Sequence, residues 1–283
     1  MIADRQDQKE VRFMSKRDWD DAFANMAYVE GAETLPSFWA ERATAYRAGA
    51  VRVDVDIPYG DSPRERLDIV WPDEKPKGLA VFVHGGFWIR LDKSYWTDLA
   101  EGARANGWAV AFPQYTLAPE ARISEMTQQV AAAIALAADK VDGPIRLAGH
   151  SAGGHLVSRL ICSDSALPVS VLERVEHVLS LSGLHDLRPL MWTKMNDLLK
   201  LDEPEALTQS PALQRPHERA NVTAWVGGGE RPEFIRQTQL LAMIWKGLDA
   251  PIREVIEGEH NHFSVLESLK EADSALTRAF VGE

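Results

Sequence analysis

Ile145-Arg146-Leu147-Ala148-Gly149-His150-Ser151-Ala152-Gly153-Gly154 sets a short apolar run directly against a glycine-flanked serine. Such a run suits a strand buried on both faces, and the residues from about His155 suit a helix. Between them lies a G-x-S-x-G turn, so sharp that side chains at the flanking positions would collide, which is why glycine occupies them. The hydroxyl of Ser151 is then held above the sheet as a candidate nucleophile. A glycine-rich turn can carry an incidental serine, so the five-residue pattern draws its weight from the strand–turn–helix setting.

Outward from this segment the same texture repeats. Leu79 to Val83, Ala109 to Phe112, Val178 to Leu181, Val222 to Val226 and Ile252 to Ile256 are further short apolar runs, each predicting a strand buried on both faces. Between them, Met126, Val130, Ile134 and Ala137 fall at helical spacing, as do Phe234, Leu241 and Trp245. Strand and helix alternate, which implies an α/β architecture: a mostly parallel central sheet with helices on both faces. Ligands then sit beyond the carboxyl ends of the strands, so functional residues are sought just after each run.

Upstream, Val51 to Val55 and Arg66 to Trp71 alternate apolar and polar residues around the turn-forming Pro58-Tyr59-Gly60-Asp61-Ser62-Pro63. They predict half-buried antiparallel strands near a sheet edge. From about Lys16 to Arg47, Trp19, Phe23, Met26, Phe38, Trp39 and Tyr46 recur at loosely helical spacing. No linker, charge run or repeat divides the chain. It reads as one domain over residues 1–283, with residues 1–50 forming a helical N-terminal arm laid across the body.

The 283 residues are 45% hydrophobic and 26% charged, which excludes disorder and supplies a large core. Thirty-one Lys and Arg against 42 Asp and Glu give a formal net charge of −11, which argues against nucleic acid or an anionic membrane as partner. The single cysteine, Cys162, can form no internal disulfide. The N-terminus is polar and acidic where a secretory signal needs a basic start and an apolar stretch, and no apolar window is long enough to span a bilayer. A cytoplasmic protein acting on a small-molecule substrate is expected, with a homodimer left open.

The second informative turn is His84-Gly85-Gly86-Phe87-Trp88, directly after Leu79 to Val83. Acyl transfer to serine creates a negative oxygen, which backbone N–H groups already aimed at it can stabilise. Gly85, Gly86 and Phe87 are therefore expected to form an oxyanion hole with Ala152, the residue after the nucleophile. Serine also needs a base, and the base is sought after the last strand, in Glu259-His260-Asn261-His262-Phe263. His262 is preferred over His260, because Phe263 can anchor the loop while the neighbouring side chain projects to the site. His150 and His155, adjacent to Ser151 in the chain, are read as structural. The orienting acid is Glu230, in the loop after Val222 to Val226, with Asp186 as competitor and Glu233 as a first-turn helix residue. No metal site and no cofactor are predicted.

These motifs together resemble the α/β-hydrolases, and more narrowly the kynurenine formamidase (arylformamidase) group and its relatives among small esterases. The resemblance rests on His84-Gly85-Gly86-Phe87-Trp88, the elbow with its doubled glycine and His155, and Asn261-His262-Phe263. Pro58-Tyr59-Gly60, Arg64 to Asp68, Tyr115 to Pro119 and Pro232-Glu233-Phe234 with Gln237 extend it over most of residues 50–270. The group often carries aspartate before Pro-Glu-Phe, where this chain has Glu230. The resemblance implies hydrolysis of an N-formyl arylamine, N-formylkynurenine, through a Ser-His-Glu triad and a formyl-enzyme, with small acyl or aryl esters as the alternative. Phe87 and Trp88 are expected to narrow the acyl pocket and Trp88 to lie near substrate; Arg90, Lys93 and Arg188 are the cations available to a substrate carboxylate, with solvated surface charge the more ordinary role for each.

Overall fold

A computed structural model describes residues 17–282. The apolar runs become strands of an eight-stranded sheet in the order β1-β2-β4-β3-β5-β6-β7-β8. They are β1 (Val53–Pro58), β2 (Arg66–Val70), β3 (Leu79–Val83), β4 (Ala109–Pro113), β5 (Ile145–His150), β6 (Val175–Leu181), β7 (Val222–Gly227) and β8 (Ile252–Glu257). β1, β2 and β4 pair antiparallel, and all pairings from β4 to β8 are parallel. The alternating stretches thus lie at one side of the sheet, but only β1, the edge strand, is partly exposed; β2, covered by β1 and β4, is buried at every position after Arg66, Asp68 included, where half-burial was expected. The interior strands β3, β4 and β7 are buried at every position.

β8 departs from the expectation. It forms the opposite edge, where only Ile252 is buried and Ile256 is exposed, because an edge strand lacks a neighbour on one side. Its pairing with β7 nevertheless runs in register from Val222↔Ile252 to Gly227↔Glu257, so the loop after β8 emerges beside the loop after β7. That adjacency brings the two candidate acid and base loops together.

The helix Ile123–Lys140 buries Met126, Val130, Ile134 and Ala137, and the helix Pro232–Lys246 buries Phe234, Leu241 and Trp245. The arm is less regular than its aromatic spacing suggests. A short helix Trp19–Ala22 gives way to 3₁₀ turns at Asn25–Tyr28 and Ala32–Thr34, and only Leu35–Arg47 is a long helix. Residues 1–16 of the expected arm lie outside the described residues. Phe23 packs edge-on to Phe234, and Trp39 packs against Trp96 and Phe263, with centroids 6.1, 4.8 and 5.7 Å apart. Arg42 adds an ion pair to Glu267 at 2.6 Å. The arm therefore closes over the carboxyl ends of the strands. Among the described residues, no helix is long and apolar enough to cross a membrane.

Candidate active site

Ser151 follows β5 with φ 55° and ψ −116°, a conformation a non-glycine residue holds only when its surroundings impose it. Its N–H donates to Leu181 O at 2.8 Å, tying the turn to the end of β6. The helix Ala152–Arg159 then starts three residues earlier than the sequence suggests. The crowding behind this turn explains its glycines: a Cβ on Gly153 would stand 1.9 Å from Val83 O, the last carbonyl of β3. Only a residue without a side chain lets the nucleophile turn sit directly over the central strand.

His262 and Glu230 meet as the chain order predicts. His262 Nδ1 lies 2.7 Å from Glu230 Oε2, and both side chains are almost wholly buried. The other carboxylate oxygen accepts from Gly227 N–H at 2.9 Å and from the Ser182 hydroxyl at 2.5 Å. With Nδ1–H given to the carboxylate, Nε2 is left as the basic nitrogen. The ring is wedged between Phe234 and His150, with centroids 4.5 and 4.6 Å away. His150 Nε2 donates to the His262 carbonyl oxygen at 2.8 Å, and burial holds the His150 pKa well below its ordinary value, so it acts as a neutral strut.

Ser151 and His262 line one cavity of about 50 Å3, together with Gly85, Gly86 and Phe87. The Ser151 hydroxyl makes no hydrogen bond to any described residue; catalytic hydrogen bonds commonly tighten only once substrate is bound. The N–H groups of Gly86, Phe87 and Ala152 likewise have no described acceptor. Gly86 and Phe87 line the cavity with Ser151, and Ala152 follows Ser151 in the chain, so the N–H groups expected to stabilise an oxyanion are without an acceptor among the described residues. The turn that carries two of them is held by His84. Its ring stacks on Tyr115 with centroids 4.5 Å apart, and its Nδ1 donates to Gly85 O at 2.7 Å. Burial pulls the His84 pKa down to about 4, so the ring is neutral at pH 7.

Other candidates are placed elsewhere. Asp186, the competing acid, is held by Arg188 at 2.8 Å rather than by His262. Glu233 stands in the first turn of its helix, paired with Arg236 at 2.6 Å. Trp88 is fully buried and packs edge-on to His155 at 5.1 Å; it does not line the cavity, so the expectation that it meets substrate is corrected. Of the three candidate cations, Lys93 is buried between Asp56 and Asp68 at 2.8 and 2.7 Å, and Arg188 is spent on Asp186. Arg90 lines the cavity and forms no ion pair with any described carboxylate. No group of three or more His, Cys, Asp or Glu among the described residues is arranged to hold a metal ion.

Two contributors escape a reading of the sequence. Ser182 gives its hydroxyl to Glu230, and its one signal in the sequence is that it directly follows the apolar run of β6. Asn25, on the arm, lines the same cavity as Ser151, and nothing in its local sequence signals this.

Comparison with known proteins agrees with the geometry. A crystal structure of a candidate thioesterase from Silicibacter sp. TM1040 superposes with a TM-score of 0.89 at 46% identity, covering 93% of this chain and 99% of that one. The kynurenine formamidase of Danio rerio is 29% identical over 79% of this chain and 79% of its own length. That of Salmo salar is 27% identical over 86% and 91%. With residues 80–224 matching the model of the alpha/beta hydrolase fold, the chain belongs to that family and is a hydrolase.

Proposed function

We propose that the chain hydrolyses the formamide of an N-formyl arylamine such as N-formylkynurenine, releasing formate and the arylamine. The observation that carries this reading is the size of the cavity at Ser151. At about 50 Å3 it is far below the roughly 300–1,000 Å3 of sites that enclose a whole small molecule. The narrow space beside Ser151 suits a small acyl unit with the leaving group toward the opening, and formyl is the smallest acyl group there is. Similarity to curated kynurenine formamidases over most of the chain supports the same substrate class.

In this reading His262 Nε2 takes the Ser151 proton as Oγ bonds to the formyl carbon, and the N–H groups of Gly86, Phe87 and Ala152 hold the oxyanion. Glu230 keeps Nδ1–H in place and stabilises the imidazolium. His262 then gives its proton to the nitrogen as the C–N bond breaks. Water, deprotonated by His262, attacks the formyl-enzyme, and formate leaves with the Ser151 hydroxyl restored. Each step uses groups of the chain and water alone. Arg90, the cation left without a carboxylate, faces the carboxylate of an amino-acid leaving group.

The structure 46% identical over nearly the whole chain is that of a candidate thioesterase, which favours small acyl esters or thioesters as the second reading. Steady-state hydrolysis of N-formylkynurenine against short-chain aryl esters and thioesters separates the two. Turnover of the formamide at least comparable to the esters is expected, and esters cleaved with the formamide untouched would overturn the first reading. Ser151→Ala should lower kcat by a few orders of magnitude on every substrate that is turned over. Unchanged activity would remove Ser151 as the nucleophile.

A further inference from the structure

Asn25 is 5% exposed, and neither its Oδ1 nor its Nδ2 has a hydrogen-bond partner among the described residues. A buried amide with both ends unsatisfied is rare in native chains and calls for a ligand that satisfies it. Its position supplies one. Asn25 lines the cavity that holds Ser151, and with His262 it is one of two residues shared with an adjoining cavity beside Glu230. The unsatisfied amide therefore stands with His262 where the site meets the adjoining cavity.

His262 is the group that must protonate the departing atom, so the leaving group lies beside His262. An amide and an ester differ there at one atom: the amide nitrogen carries an N–H, and the ester oxygen does not. For the C–N bond to break, the nitrogen of the tetrahedral intermediate must turn its lone pair toward the protonated Nε2 of His262. Its N–H then points away from His262 and needs an acceptor. A carbonyl oxygen out of reach of water and already free of partners supplies one without having to be desolvated.

We propose that Asn25 Oδ1 accepts the N–H of the scissile amide and thereby turns the nitrogen lone pair toward His262. Asn25 is a positioning residue that makes the site selective for amides. It forms no covalent bond: the proton passes from His262 to nitrogen, and the C–N electron pair stays with the amine. This assignment rests on the formamidase reading above.

The test uses the full chain and a matched pair of substrates, formanilide and phenyl formate, which share acyl group and ring and differ only at the leaving atom. In Asn25→Leu, similar in size and without polar atoms, the amide-to-ester ratio of kcat/KM is expected to fall about 10- to 100-fold, with the loss in kcat for the amide. Should Asn25→Leu not fold, Asn25→Ala reads the same ratio. A parallel loss on both substrates, or no loss on either, overturns the assignment of Asn25 and leaves the formamidase reading intact. A wild-type chain that cleaves phenyl formate and leaves formanilide untouched overturns both.

Discussion

Phe87 and Trp88 both hold left-handed backbone, with φ 52° and 59°, and two such residues in succession turn their side chains to different sides. Phe87 meets the cavity, whereas Trp88 drops into the core against His155. Trp88 therefore acts on substrate only by fixing the turn that carries Phe87. Arg90, two residues beyond Trp88, forms no ion pair with a carboxylate among the described residues. Arg90→Gln should raise KM about tenfold or more for a formamide bearing a carboxylate, and by much less for uncharged formanilide, as read from initial rates at varied substrate concentration. Equal effects on both would show that Arg90 shapes the cavity rather than binding an anion. Of the candidate residues, Ser151, His262 and Glu230 are legible in the sequence because each follows a strand whose apolar run fixes its place. Trp88 misled because adjacency along a chain says nothing about direction where the backbone is left-handed. Asn25 was invisible because it reaches the site through tertiary packing of the arm.

At the scale of elements, the proposed chemistry falls on two turns, one after β3 and one after β5. The contact of the nucleophile turn with the end of β3 leaves no room for a methyl group at position 153. Gly153→Ala must push the helix Ala152–Arg159 away from β3 or distort the turn, at a cost of about 3 kcal/mol. For a chain of this size that is a fall in Tm on the order of 6–12 °C, measurable by differential scanning calorimetry, with activity lost as well. An unchanged Tm would mean that the turn is looser than its contacts imply. The strands were legible to within a few residues because burial on both faces leaves a continuous apolar run. β8 was misjudged because an equally short run serves an edge strand that lacks a neighbour on one side. The arm's broken helices were not legible, since loosely spaced aromatics fit 3₁₀ turns as readily as one continuous helix.

The whole molecule buries several histidines in neutral form. Burial, the largest cause for each, lowers the pKa of His84 to about 4 and those of His155 and His185 to about 3. The unfolded chain keeps these groups near 6.5. Between pH 6.5 and about 4 the unfolded state therefore binds protons that the folded state refuses. The stability is complete above pH 6.5 and is lost as pH falls, by up to about 1.4 kcal/mol per histidine per pH unit. Denaturant melts at stepped pH should show midpoints flat above 7 and dropping steeply below 6. Midpoints unaltered down to pH 4 would contradict neutral burial of these rings.

The arm that closes the site brings Asn25, Met26, Pro36 and Trp39 to the cavity wall, and all four lie upstream of residues 80–224. Part of the wall that substrate meets is thus supplied by a stretch of chain that carries none of Ser151, Glu230 and His262. A change among these four wall residues can therefore alter what fits beside Ser151 while leaving Ser151, Glu230 and His262 themselves untouched.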